Sequence, residues 1–208
     1  MRHAQARLRV DDDLKRSRLT TAFRLLLAIP HALWLGLWTY GVYLLVLFQW
    51  FAVLFSPRME DDVHAFLARF LRYHVHVYAY VFLLADPWPR FRGRLGDYPV
   101  DLELDPPERQ KRWTVAFRVL LAIPPLVLAT VLATVLFVVA VIGWFASLAL
   151  GRMPRGLRDL GAYCLRYQTQ TYAYVMLLTS AYPVLAGGTT GIGELPDGYG
   201  HDPMSEAD

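Results

Sequence analysis

The chain contains Phe23-Arg24-Leu25-Leu26-Leu27-Ala28-Ile29-Pro30 and then, 94 positions later, Phe117-Arg118-Val119-Leu120-Leu121-Ala122-Ile123-Pro124. Set at that fixed offset, residues 8–89 and 102–183 agree at 29 of 82 positions without a gap. Self-similarity at one period marks a structural unit written twice, so any fold must accommodate both copies. The expected division is 1–94 for the first repeat, 95–185 for the second, and 186–208 for a polar tail. That tail is rich in Gly, Asp and Pro and holds no Lys or Arg, a composition expected to stay disordered.

Each copy carries a charge-free apolar run, at 25–55 and 119–151. Both exceed the roughly 20 residues that cross a bilayer core. Composition agrees: 55% hydrophobic and 19% charged, against about 25% charged in ordinary soluble domains. The first 18 residues hold six Lys/Arg and Asp11, Asp12 and Asp13, with no cleavage site after the hydrophobic run. An uncleaved, Sec-type inserted membrane protein is expected.

A helix through residues 19–55 would be about 55 Å long, too long for a core of about 30 Å. Proline inside a helix removes a donor and clashes with the preceding turn. The sequence therefore predicts interfacial segments at 16–29 and 110–123, broken at Pro30 and Pro124, then spans at 31–55 and 125–150. Less apolar helices are expected at 63–85 and 157–179. The arm aligns with the link, Leu8-Arg9-Val10-Asp11 on Leu102-Glu103-Leu104-Asp105, and alternation over 98–105 permits a short strand.

The expected architecture is all-α and integral to the membrane, with two parallel repeats and about four transmembrane helices. The arm (1–18) and link (86–112) hold six Lys/Arg each, and the turns 56–62 and 151–156 hold one and two. The positive-inside rule then places both termini in the cytoplasm of a multi-pass protein of the bacterial inner membrane. The competing layout has one span per copy, which inverts the repeats and separates arm from link. A net charge of +3, clustered beside hydrophobic runs, fits anionic lipid better than nucleic acid.

The chain resembles the DUF4389 family of uncharacterised bacterial membrane proteins. The resemblance rests on Arg18-Leu19, Arg24 and Ile29-Pro30, on Trp50-Phe51-Ala52, and on Leu71-Arg72-Tyr73 with Ala79-Tyr80. In the second copy it rests on Trp144-Phe145-Ala146, Gly151-Arg152-Met153-Pro154-Arg155-Gly156, Leu165-Arg166-Tyr167, Ala173-Tyr174 and Tyr182-Pro183. The first copy departs at its turn, where residues 56–61 lack the glycines. The resemblance covers most of the chain and implies a membrane protein with no catalytic residues to carry over.

Helical spacing puts Arg69, Arg72, His76 and Tyr80 on one face, and Tyr163, Arg166, Gln170 and Tyr174 on its counterpart. An arginine in a spanning helix faces a polar interior or snorkels to the interface. No acidic residue lies within the apolar segments; Asp62, Asp86 and Asp159 lie near segment ends. The candidate anion or lipid-headgroup contacts are Arg72, Arg166, Arg24, Arg118, Tyr80 and Tyr174, since Arg suits bidentate phosphate recognition. His31, His64, His74 and His76 have no histidine counterparts in the second copy, which argues against a metal site. The single Cys164 excludes an internal disulfide.

No phosphate loop or nucleophile set is present in the sequence. The expectation is a non-catalytic module, without cofactor, that associates with lipid, with a partner membrane protein or with its own copies. The alternative is a small transporter or channel for an anionic solute, with the Arg72 and Arg166 faces lining its path.

Overall fold

The structure, a computed structural model, describes residues 6–55, 58–107, 110 and 112–185. The expected tail, 186–208, lies outside the described residues. In chain order the elements are β1 (Ala6–Val10), α1 (Arg18–Phe55), α2 (Asp61–Val81), β2 (Val100–Leu104), α3 (Arg112–Ala116), α4 (Arg118–Leu150) and α5 (Arg155–Val175). The fold is mostly helical, with one small sheet beside the helices.

The helix runs on through Pro30 in α1 and through Pro124 and Pro125 in α4. The expected breaks are not there. A helical proline removes one backbone bond, but packing on both sides holds the turns in register: Ala28 and His31 flank Pro30, and both are buried. The break in the second copy falls earlier, at Phe117 between α3 and α4.

Burial along α1 follows a heptad stripe through Thr21, Arg24, Ala28, His31, Leu35, Val42 and Gln49. The same stripe recurs on α4 at Arg118, Ala122, Pro125, Ala129, Leu136 and Gly143. Much of the remaining surface of each helix is apolar and exposed. Leu25, Leu33, Phe48 and Phe55 are each at least 70% exposed. On α4, Val127, Phe137 and Phe145 stand out in the same way. Among the described residues, α1 over Arg18–Val53 and α4 are the two helices long and apolar enough to cross a bilayer. By contrast, the middle and end of α2 and α5 are buried on more than one face, and the two helices supply core residues that include Leu71, Tyr73, Val75 and Ala79 from α2 and Cys164 and Leu165 from α5.

β1 and β2 pair antiparallel, with Ala6 opposite Leu104, Leu8 opposite Leu102 and Val10 opposite Val100. Leu8 and Leu102 are repeat counterparts, so each central residue faces its own copy. An antiparallel pair centred in this way carries a local twofold axis through its middle. The strands are also exchanged: β2, from the second repeat, packs on α2, and β1, from the first, packs on α5. The sheet touches neither α1 nor α4. Three layers result: the sheet, then α2 with α5, then α1 with α4.

The axis makes α1 and α4 antiparallel, which corrects the expected parallel repeats. At one end, Arg18 Nη2 donates to Ala149 O at 3.0 Å and Trp144 Nε1 donates to Thr21 O at 2.9 Å. Arg16 N bonds Gly151 O, and Met153 N bonds Leu14 O. At the other end, Trp50 Nε1 donates to Val175 O at 3.2 Å, and α3 touches α1. The start of α1 thus lies beside the end of α4, and the turn at 151–153 beside the arm it was expected to oppose. The loop charges place that turn on the side away from the arm, whereas the backbones of the two are hydrogen-bonded to each other. The pairing of β1 with β2 does hold arm and link together, as their shared charge suggested.

Candidate functional site

Each inner helix ends in a hook. Leu83 and Leu177, repeat counterparts, both take a left-handed φ of 62°. Non-glycine residues rarely adopt this region, and here both are buried leucines. Leu84 N bonds Ala79 O at 2.8 Å and Leu178 N bonds Ala173 O at 3.0 Å, which satisfies carbonyls that a helix end leaves without partners. Other carbonyls of the hook point toward the start of the outer helix, where an arginine meets them.

In the first repeat that arginine is Arg24, 1% exposed. Its Nη1 donates to Tyr80 O at 2.8 Å and Ala85 O at 3.1 Å, and its Nη2 to Asp86 Oδ1 at 2.6 Å. The guanidinium lies 4.6 Å from the Tyr80 ring centroid. Beside it, Arg16 donates to Leu83 O and forms an ion pair with Asp12 at 2.6 Å. Two cations and two carboxylates share the hook, and cations suit the negative end of a helix dipole.

The second repeat keeps the frame and loses the carboxylates. Arg118, fully buried, lies 4.3 Å from the Tyr174 ring centroid, and its Nη1 donates to Tyr174 O at 3.0 Å. Gln110 replaces Arg16 and donates to Leu177 O. Pro106 and Ser180 stand where the first repeat has Asp12 and Asp86.

Arg72 and His76 meet the sheet. Arg72 Nε donates to Leu102 O at 2.9 Å and lies 3.6 Å from Asp101 Oδ1, and Nη1 donates to Gly93 O at 3.3 Å. His76 Nε2 lies 3.0 Å from the same Asp101 oxygen. Burial pushes the Asp101 carboxyl up, but hydrogen bonds from His76 and from the Gly96 and Leu102 amides outweigh it and hold the group below its ordinary value. Tyr80, expected on the same face, instead packs under Arg24 and against Trp88. Arg166 stacks over Tyr163 at 5.2 Å. The structure therefore joins Arg24 with Tyr80 and Arg118 with Tyr174, and separates both pairs from Arg72.

Sequence reasoning missed the partners. Asp101 lies in the link, outside the apolar segments searched for acids, and Asp12 lies in the arm. The identity clusters at 78–81 and 83–84 were the available signal for the hook. Of the histidines, His31 Nδ1 bonds Tyr73 Oη at 2.8 Å and stacks on Phe91. No group of three or more metal-ligating side chains occurs among the described residues. A cleft in the link is lined by Trp88, Phe91, Arg90, Arg92, Arg94 and Asp97, and Trp88 and Phe91 rest on His31 of α1.

Comparison with known families matches residues 18–92 and 112–186 to a family described as Domain of unknown function (DUF4389). Comparison with curated proteins and with solved structures gave no match. The two matched stretches bracket the two hooks, and each contains one outer helix, one inner helix and the buried arginine between them. The chain belongs to the DUF4389 family, as a tandem pair of that domain.

Proposed function

We propose that this protein is a non-catalytic, lipid-associated module that lies in one leaflet of the membrane. The α1–α4 layer is immersed in hydrocarbon, and the sheet faces water. The observation that carries this reading is where the charged sheet sits. The twofold axis passes through Leu8 and Leu102. It meets α1 midway between Thr21, which contacts Trp144, and Trp50, the repeat counterpart of Trp144, and so near Gly36. The sheet is therefore level with the middle of α1 and α4. It exposes Arg7, Arg9 and Glu103.

If α1 stood upright across a bilayer, those charges would lie at midplane depth, where charged groups are costly and an open sheet edge has no water to satisfy it. Length points the same way. Exposed apolar side chains run from Leu19 to Phe55, about 54 Å of helix, against a hydrocarbon core of about 30 Å. A helix lying in the membrane plane meets neither limit. The arginine-lined cleft, with Trp88 and Phe91 resting on α1, suits anionic headgroups beside the apolar layer.

Single cysteines at Arg58, Arg152 and Glu103, in a Cys164→Ala background, test the arrangement with an impermeant maleimide on oriented vesicles. All three are expected to label from one side. Labelling of Arg58→Cys and Arg152→Cys from opposite faces would mean upright, antiparallel spans. Labelling of both from the face opposite Glu103→Cys would mean four crossings. Either result overturns the reading.

A further inference from the structure

We infer that Arg118 is the anchor of an anion-binding site present only in the second repeat, and that its ligand is a phosphate-type oxyanion. The two hooks act as an internal comparison. In the first, the Arg24 guanidinium is neutralised by Asp86 at 2.6 Å. In the second, the same guanidinium position is held by the same stacking on a tyrosine and the same bond to that tyrosine's carbonyl. The residue at the carboxylate position is Ser180, which supplies no charge. Arg118 Nε and Nη2 are buried without a hydrogen-bond partner, and no carboxylate lies within ion-pair distance among the described residues.

A buried, uncompensated guanidinium is costly. It becomes favourable when an anion completes it, and two adjacent free N–H groups match the bidentate geometry of phosphate or carboxylate oxygens. Ser180, at the position through which a ligand would reach Arg118, is half-buried. In the first repeat the Asp86 side chain, bonded at this position, is 28% exposed. Around the second hook Trp113, Phe117 and Tyr182 are exposed, and aromatic side chains of this kind concentrate at the headgroup level of membranes. A lipid phosphodiester is therefore the source we expect. That choice of source rests on the leaflet reading; the anion site itself does not.

The experiment measures thermal unfolding of the full chain with inorganic phosphate in detergent at constant ionic strength, and separately with phosphatidylglycerol in nanodiscs. The wild type is expected to gain stability with rising ligand, following the logarithm of its concentration as binding at one site requires. Ser180→Asp, which installs the first repeat's carboxylate, is expected to unfold later without ligand and to lose the response. Arg118→Gln is expected to lose the response as well, and it carries the test if Ser180→Asp does not fold. Asp86→Ser should gain a second site and so respond more steeply to the ligand than the wild type. A response to phosphatidylglycerol alone assigns a lipid headgroup, and a response to phosphate alone assigns a free anion; both support the site. No response in the wild type, or equal responses in wild type and both variants, overturns it. The labelling pattern at Arg58 and Arg152 is independent of every one of these outcomes.

Discussion

Leu8 sits opposite Leu102 at the centre of the β1–β2 ladder, and Leu102 is the residue that repeats Leu8 94 positions later. The pair is buried, Leu102 completely and Leu8 nearly so. One contact thus closes the twofold axis and joins the two exchanged strands to the inner helices. Removing a buried leucine side chain costs about 2–5 kcal/mol. Leu102→Ala and Leu8→Ala are each expected to fall in that range, with Leu102→Ala the larger because it is more fully buried. The two side chains share one packing site, so the double variant should lose less than the sum. Denaturant unfolding in mild detergent checks both statements.

Arg24 and Asp86 define a second test. Breaking a buried ion pair by removing one partner costs about 3–5 kcal/mol. Arg24→Ala also strips the donors from Tyr80 O and Ala85 O, so its loss should reach the upper end of that range. Asp86→Ser should cost less, because the Asp86 side chain is partly in water. The order of the two unfolding midpoints is the measurement, and the reverse order would mean that the carbonyl bonds contribute little.

Much of this was legible in the sequence because it depends on local pattern. The repeat, the two long apolar helices and the second pair of helices follow from identity and from runs of hydrophobic residues. Arg24 and Arg118 stand in the repeated Phe-Arg-x-Leu-Leu-Ala-Ile-Pro stretch, whereas Tyr80 and Tyr174 enter the sequence reading through the helix face they share with Arg72 and Arg166. What the sequence did not carry was direction in space. Loop charge says nothing of which elements pack together, and α2 and α5 lie against the sheet. On local grounds Pro30 and Pro124 predict breaks, whereas the helices continue because burial on either side of each proline is set by tertiary packing. Asp101 is far from Arg72 in the chain, and the strand pairing is what brings it within 3.6 Å.

Acidification tests the Asp101 junction. The folded state holds this carboxyl below its ordinary value of 3.8. As pH falls through that value, the unfolded chain takes up the proton first, so stability that is complete above it declines toward lower pH. Wild type should therefore lose stability on acidification in this window. Asp101→Asn should be less stable at neutral pH, and its deficit should shrink as the pH drops toward the folded-state value. A deficit that is constant across the window would show that Asp101 acts through shape alone.

The path of the link over α2 depends on Gly93. Its φ of +54° lies in the left-handed region, and a Cβ there would meet the Arg69 carbonyl oxygen and sit 3.0 Å from Tyr73 Cβ. The same residue offers its carbonyl to Arg72 at 3.3 Å. Gly96 provides the control. It also has a positive φ, +82°, but a Cβ there meets nothing within 4 Å. Gly96→Ala should show only the conformational cost, about 1–2 kcal/mol. Gly93→Ala adds a clash with backbone, which cannot swing aside as a side chain can, and should be clearly more destabilising. It should also increase maleimide reaction at Arg92→Cys as the link lifts from the helix. Equal losses at the two glycines would mean that the link does not press on α2, and Arg72 would then have to be held by Leu102 and Asp101 alone.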